Sequence, residues 1–133
     1  MDKIIINGGN PLEGSVEISG AKNAVLPIMA AALMGNGISI ITRVPDLRDT
    51  RTMIRLMEII GAKVSFKEGT LTVDGSSVNN PEAPYDLVKT MRASILTLGP
   101  MLAKYKKAKI SLPGGCAIGT RPVNLHLDAL EKM

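Results

Sequence analysis

The sequence predicts a mixed α/β fold made from a repeated supersecondary unit. Short β-branched runs alternate with longer apolar segments of helical character, and glycine or proline separates them. The order helix, strand, proline-containing loop, helix occurs twice, at 21–60 and at 86–133. Such units stack to bury a common core. Because the second copy ends with its second helix at Met133, we expect a truncated assembly whose core is only partly present.

Six β-rich runs are predicted as strands. The first two, at 3–7 and 15–19, lie on either side of the turn signal Gly8-Gly9-Asn10-Pro11. Glu68-Gly69 joins two later runs, which predicts a hairpin. The four later strands are predicted at 38–44, 62–67, 70–74 and 108–113. A polar linker, 75–84, follows the hairpin.

Four segments are predicted as helices: 21–35, 47–60, 86–105 and 122–133. The first is apolar on almost every side, which predicts deep burial. Asp46 is a candidate N-cap for the second, and Pro122 suits the first turn of the fourth. The third should be kinked or divided at Gly99-Pro100. The predicted buried positions are Met53, Ile54, Met57 and Ile60 in the second helix, and Leu87, Met91, Ile95, Leu98 and Leu102 in the third.

Charge and composition narrow the classes of function. The net charge is +4, which is compatible either with an ordinary protein surface or with the binding of an anionic ligand. Nucleic acid is disfavoured, since the chain is 2% aromatic and has no Trp to stack on bases. We interpret the basic run 104–109 as helix C-terminal charge and solvated loop. The chain has no membrane-spanning run and no secretory signal pattern, which predicts a cytoplasmic protein without a membrane partner.

Cofactor signals are missing from the sequence. The chain has no Cys/His cluster with metal-ligand spacing, so we predict no structural metal. It also has no glycine fingerprint of a dinucleotide or P-loop site after a strand. We therefore expect a function that uses no cofactor.

The single cysteine lies in the glycine-rich stretch PGGCAIG, a backbone unsuited to a regular strand or helix. Cys116 there is a candidate for chemistry, and Arg121, at a predicted helix start, would favour its thiolate. Residue chemistry alone leaves catalytic and structural roles equally open. His126 could act as its base, but we favour a packing or surface role because it falls inside the helix.

Two further stretches suit an anionic ligand. Lys22 and Asn23 lie at a strand-to-helix transition, where free backbone N–H groups attract phosphate or carboxylate. Arg92 follows Met91 on a predicted buried stripe, and a partly buried Arg usually has an anionic partner. That partner could be internal or a ligand. Three other arginines along one helix are interpreted as solvated: Arg48, Arg51 and Arg55.

Four stretches together carry a family resemblance: GAKNA, LRDT, PYDLVKTMRASILTLGPMLA and LPGGCAIGTRPVNLH. The chain strongly resembles, over essentially its whole length, UDP-N-acetylglucosamine 1-carboxyvinyltransferases, the enolpyruvyl transferases that begin bacterial peptidoglycan synthesis. The resemblance implies an inside-out α/β barrel of repeated β-α-β-α-β-β units, in two domains with the ligands between them. Members are much longer. Residues 1–20 are then expected to belong with a later second domain, and 21–133 to form the incomplete first part of the cysteine-loop domain.

The resemblance also implies the chemistry. Phosphoenolpyruvate gives its enolpyruvyl group to the 3-hydroxyl of UDP-N-acetylglucosamine, and phosphate is released. Cys116 matches the proton donor, which also forms a covalent adduct with phosphoenolpyruvate and is alkylated by fosfomycin-type epoxides. Lys22 and Asn23 match phosphoenolpyruvate-binding residues, and Arg92 matches a substrate-site residue. The uridine-diphosphate segment matches Arg121, Pro122, Val123, Asn124 and Leu125.

The sequence departs from the family at Asn124, where Asp is common. An amide still accepts a hydrogen bond from uracil but carries no charge. The family's remaining site residues lie beyond Met133, so the 133-residue chain alone is expected to be inactive. The alternatives are a non-catalytic nucleotide-sugar-binding fragment or a truncated paralogue. The closest alternative family is the sister enzyme that acts on shikimate 3-phosphate. That family shares the fold but lacks this cysteine loop, so Cys116 and the segment 121–126 distinguish the two.

Overall fold

The structure is a computed structural model that describes residues 3–89, 91–111 and 123–133. Five helices and five strands are formed in these ranges. The helices are α1 (Lys22–Ala32), α2 (Arg48–Ile59), α3 (Tyr85–Val88), α4 (Leu98–Tyr105) and α5 (Asn124–Glu131). The strands are β1 (Ile38–Ile41), β2 (Lys63–Lys67), β3 (Thr70–Asp74), β4 (Glu82–Ala83) and β5 (Lys109–Ile110). Two 3-10 helices, Gly75–Ser77 and Arg92–Thr97, complete the order.

A three-stranded antiparallel sheet in the order β1-β3-β2 is the centre of the first unit. β2 and β3 form the predicted hairpin. Its two turn residues, Glu68 and Gly69, have φ of 49° and 72°, the positive values that a type I′ turn requires. Two β3 side chains, Leu71 and Val73, are fully buried beneath the helices. The short strands β4 and β5 pair in parallel as a separate sheet.

Helices α1 and α2 cover the sheet and provide most of the core. Their apolar side chains recur at helical spacing, so each helix buries one face. The fully buried positions include Met29, Met53, Leu56, Met57 and Ile60. The predicted face of α2 is confirmed, with Ile54 only partly buried. The deep burial predicted for α1 is wrong for its outer face, where Ile28 remains 49% exposed.

The predicted strands at 3–7 and 15–19 are wrong, since residues 3–20 form no strand. The apolar side chains of this segment are exposed, with Ile4 at 88% and Val16 at 86%. A strand is stable only when a neighbour pairs with its backbone N–H and C=O groups. The β-branched pattern favours extended backbone here, but no described strand pairs with the segment.

The prediction of a long helix at 86–105, kinked or divided at Gly99-Pro100, is wrong about how the segment divides, because the chain forms α3, a 3-10 helix and α4 in succession. The division precedes Gly99-Pro100, which instead lies in the first turn of α4, where proline is tolerated. The buried Ser94 hydroxyl donates to the Met91 carbonyl at 2.6 Å, and Thr97 donates to the Ser94 carbonyl at 2.7 Å. Such side-chain bonds compete with α-helical pairing.

The structure also differs from the sequence predictions in smaller ways, at the start of α2 and in the linker 75–84. Asp46 is not the N-cap of α2, because Leu47 takes that position without a side-chain cap bond. The Asp46 carboxylate instead accepts two hydrogen bonds from the Arg51 guanidinium, both at 2.6 Å. The hydrogen bond from Arg51 lowers the pKa of Asp46. The linker 75–84 contains a 3-10 helix and β4.

Lys104 lies in the last turn of α4, in agreement with the helix C-terminal charge predicted for the run 104–109, but its side chain is part-buried. Its part-buried ammonium donates to the carbonyls of Leu33, Gly35 and Gly75 at 3.2, 2.9 and 2.5 Å. The first two carbonyls follow the C-terminal end of α1, where the helix dipole favours a cation. A Cβ on Gly75 would lie only 2.6 Å from the Gly35 carbonyl oxygen, so this close approach requires glycine. One side chain of α4 thereby fixes α1 against the turn after β3.

Over the described ranges, no helix has the length and apolar character needed to cross a membrane.

Replacing Lys104 by Met keeps the aliphatic stem and removes the ammonium. We expect the free energy of unfolding to fall by about 2 kcal/mol, because charge-assisted bonds to three carbonyls are lost. Urea unfolding measures the change. The control is Lys107→Met, at an exposed position of the same basic run, which should leave stability within about 0.5 kcal/mol. Equal stabilities of the two variants would contradict the structural role of Lys104.

Candidate active site

The start of α1 carries the two sequence-predicted anion ligands, Lys22 and Asn23, as its first two residues. The preceding N-cap, Ala21, is extended and provides no side-chain cap bond. The Ala21 carbonyl accepts from the N–H groups of Ala24 and Val25 at 3.1 and 3.0 Å. The first turn contains no acidic residue. A helix start with these properties is electropositive and offers backbone donors to an anion.

Asp49 lies opposite Lys22 and was not among the sequence-predicted site residues. Its carboxylate oxygen Oδ2 is 3.0 Å from the Lys22 Nζ, and the two side chains are 35% and 48% exposed. Asp49 belongs to the first turn of α2, so the pair joins the N-terminal turns of both helices. An acidic residue in a first turn is usually explained by the helix dipole, so its chemistry alone did not predict a site. The one other signal was that Asp49 lies within the LRDT stretch that carries the resemblance.

Gly20 sets the path by which the chain enters α1. A Cβ at this position would lie 2.0 Å from the Arg43 carbonyl oxygen and 3.4 Å from Pro45 Cδ. Arg43 itself has a positive φ of 56°, which is uncommon outside glycine. Beside this contact lies a mostly apolar cleft of about 280 Å³, lined in part by Ile18, Ala24 and Ile41. The backbone before Lys22 therefore lies in close contact with the segment that follows β1.

Arg92 begins the second 3-10 helix, Arg92–Thr97, and its side chain is half-buried after the buried Met91. This 3-10 helix packs against α1. The structure thus places the elements that carry Lys22 and Arg92 in contact, and the buried position predicted for Met91 is confirmed. Whether Arg92 binds a ligand stays a prediction.

The cysteine loop does not enter this geometry, because Cys116, Arg121 and Pro122 lie outside the described residues. Val123 is the half-buried N-cap of α5, and Asn124 and Leu125 are exposed in its first turn. None of the residues of α5 is buried. His126 is exposed, so of the packing or surface roles favoured for it, the structure agrees with the surface one.

The arginines of α2 are exposed, as predicted. Arg51 donates hydrogen bonds to the Asp46 carboxylate. Together with Arg48 and Arg55 it lines an open cleft of about 480 Å³, and Asp86 of α3 is also part of the lining. In the part of the chain that the structure describes, no group of three or more His, Cys, Asp or Glu side chains could hold a metal ion.

Comparison with solved structures defines the class of fold. The enolpyruvyl transferase NikO from Streptomyces tendae matches with a TM-score of 0.63 and 30% sequence identity. The match covers 74% of this chain and 23% of that one. The α/β class expected from the sequence is therefore confirmed as part of an enolpyruvyl transferase fold.

Comparison with families and curated relatives is more specific. A family model described as EPSP synthase (3-phosphoshikimate 1-carboxyvinyltransferase) matches residues 6–133, and the chain belongs to this family. Relatives named UDP-N-acetylglucosamine 1-carboxyvinyltransferase match the whole chain. They are 55% identical in Solidesulfovibrio magneticus, 57% in Thermodesulfovibrio yellowstonii and 56% in Desulfosudis oleivorans. The chain spans 32% of the length of each, which confirms both the resemblance and its partial extent.

Replacing Gly20 by Ala should displace the start of α1, because the added methyl group collides with backbone rather than with a flexible side chain. We expect a lower thermal midpoint and altered amide chemical shifts at Lys22 and Asn23. Gly8→Ala is the matched control, since a Cβ there meets nothing within 4 Å. Wild-type shifts in Gly20→Ala would contradict the close contact with Arg43.

Proposed function

We propose that the polypeptide carrying this chain transfers the enolpyruvyl group of phosphoenolpyruvate to the 3-hydroxyl of UDP-N-acetylglucosamine and releases phosphate. The observation that carries the proposal is the 53–57% identity, over the whole chain, to relatives named for this reaction. Peptidoglycan synthesis in the cytoplasm is the setting of the proposed reaction. Because the chain spans about a third of those relatives, the rest of the site is proposed to come from elsewhere in the polypeptide. Residues 1–133 alone would not turn over.

The proposed chemistry is an addition followed by an elimination. The sugar 3-hydroxyl loses its proton to a base, which is proposed to come from elsewhere in the polypeptide, and its oxygen bonds to C2 of phosphoenolpyruvate. C3 receives a proton in the same addition, which gives a tetrahedral intermediate. The C2–oxygen bond to phosphate then breaks, C3 loses a proton and the double bond re-forms. The first step requires an acid near C3. We assign that proton to Cys116, on a loop whose closure over the substrate would exclude water.

The anionic groups of phosphoenolpyruvate define the second set of roles. Lys22 and Asn23 are proposed to bind it, which is supported by their exposed position at the uncapped, electropositive start of α1. Arg92 is proposed to lie in the same substrate site, supported by the packing of its 3-10 helix on α1. Both ammonium and guanidinium groups would stabilise charge on the intermediate.

The nucleotide part is proposed to bind the segment 121–125, which comprises Arg121, Pro122, Val123, Asn124 and Leu125. The exposure of Asn124 and Leu125 in α5 is compatible with contact to a ligand. Asn124 can accept a hydrogen bond from the uracil ring as an aspartate would, without its charge. We therefore expect this site to bind the uridine group more weakly than a site with aspartate at this position.

The domain assignment stays part of the proposal. Residues 1–20 would pack with a second domain, while 21–133 contribute to the domain of the cysteine loop. The support is the exposure of large apolar side chains along 3–20, because exposed apolar side chains in one segment are typical of a surface that packs against another domain or protein. These side chains are Ile4, Ile5, Ile6, Leu12, Val16 and Ile18.

A second candidate is the transfer of enolpyruvate to shikimate 3-phosphate, which is favoured by the description of the matching family model. Two observations favour the nucleotide sugar instead: the names of the relatives and the presence of Cys116 in a glycine loop. A non-catalytic nucleotide-sugar-binding fragment is the remaining alternative, because the chain spans only a third of those relatives.

Fosfomycin labelling tests the role of Cys116 and the reaction together. The natural polypeptide that carries this sequence, incubated with the epoxide and UDP-N-acetylglucosamine, should gain one adduct at Cys116, since its thiolate opens the epoxide ring. Peptide mass spectrometry locates the adduct, and phosphate release reports turnover.

Cys116→Ser is the matched variant and should remain unlabelled. Unmodified Cys116 in a protein that still turns over would refute its role. Turnover with shikimate 3-phosphate and not with the nucleotide sugar would select the second candidate. Absence of turnover with either acceptor, together with nucleotide-sugar binding in calorimetry, would select the binding fragment.

A further inference from the structure

We infer that Asp49 is a positioning residue for Lys22 in the transfer reaction. The inference rests on the proposed function, in which Lys22 binds phosphoenolpyruvate. The Asp49 carboxylate holds the Lys22 ammonium group at the start of α1 by ion pairing, so that the ammonium is in position before the anion arrives.

The geometry of the two helices makes Asp49 suited to this role. Its Oδ2 lies 3.0 Å from Lys22 Nζ, and each residue is in the first turn of its own helix. α1 and α2 pack directly on each other, and both contribute to the same core through Met29 and Met53, which are fully buried. The carboxylate is therefore attached to an element that cannot shift freely relative to the start of α1.

The other charges near the start of α2 leave Asp49 as the partner for Lys22. Asp46, the neighbouring carboxylate, is held by two hydrogen bonds from Arg51. The first turn of α1 offers no acidic residue of its own. The two carboxylates thus have separate partners, and Asp46 provides an internal comparison.

The exposure of the pair argues against a mainly stabilising role. Ion pairs that are open to solvent contribute little to folding because water screens them and ordering two long side chains costs entropy. Orientation is a different matter, since Lys has many rotamers and three N–H donors. The ion pair with Asp49 favours the rotamers that keep the Lys22 ammonium group 3.0 Å from the carboxylate, and its N–H donors stay available to the ligand.

Removing the Asp49 charge has two opposite effects on the reaction. A carboxylate near the site repels the anionic substrate, so the KM of Asp49→Asn for phosphoenolpyruvate should be equal to or below the wild-type value. Loss of the held rotamer misplaces Lys22 relative to the developing charge, so kcat should fall, on the order of 10-fold. A lowered kcat without a raised KM is the pattern expected of a positioning residue.

Steady-state kinetics on the natural polypeptide that carries this sequence tests the inference, with Asp49→Asn, Asp49→Glu and Asp46→Asn compared. We expect the kcat loss in Asp49→Asn alone, partial recovery in Asp49→Glu and wild-type kinetics in Asp46→Asn. Thermal midpoints should remain unchanged. Wild-type kcat in Asp49→Asn would overturn the inference, as would a raised KM alone or a kcat loss matched by a loss of thermal stability.

A second measurement does not depend on turnover. Relaxation of ¹³Cε-labelled lysine side chains should show greater motion of Lys22 in Asp49→Asn than in wild type or Asp46→Asn. Unchanged motion would overturn the inference by itself. An inactive wild-type protein whose Lys22 is mobilised by Asp49→Asn would instead refute the proposed function and leave the Asp49 contact in place.

Discussion

The bonds from the Lys104 ammonium to three backbone carbonyls are the constraint on which the placement of α1 depends. They join α4 to the residues that end α1 and to the turn after β3, where Gly75 allows the backbones to approach closely. Unsatisfied carbonyls at a helix end need such a partner, and a cation matches the dipole there. Because α1 is one continuous helix from Lys22 to Ala32, holding its last turn also constrains where its first turn lies.

The opposite end of α1 is left open. Ala21 provides no side-chain cap, and Gly20 lies against the Arg43 carbonyl, so the chain enters the helix without covering its N–H groups. An uncapped start costs roughly 1 kcal/mol compared with a good cap. The proposed phosphoenolpyruvate site uses the donors that this start leaves exposed, together with Lys22 and Asn23. The Asp49 carboxylate then restricts the conformations of the Lys22 side chain and leaves the start of the helix accessible.

Local sequence predicted the parts of the fold whose interactions are local. The apolar period of α2 and the hairpin across Glu68-Gly69 are examples, and so is the place of Lys22 and Asn23 at a helix start. The failures have long-range or competing causes: residues 3–20 have no described strand to pair with, and the hydroxyls of Ser94 and Thr97 favour 3-10 geometry. The partners of Lys104 and Lys22 are distant in sequence, so no spacing rule reveals them. The chemistry of Cys116 came from resemblance alone and lies outside the described residues.

The most direct test of the central claim, that the start of α1 is open to the anion proposed to bind there, is a phosphoenolpyruvate titration of the ¹⁵N-labelled natural polypeptide that carries this sequence. Amide shifts should move at Lys22, Asn23 and Asp49, and Lys22→Met should abolish them. The contradicting result is a response confined to the exposed arginine face of α2, at Arg51 and Arg55, with the start of α1 unaffected.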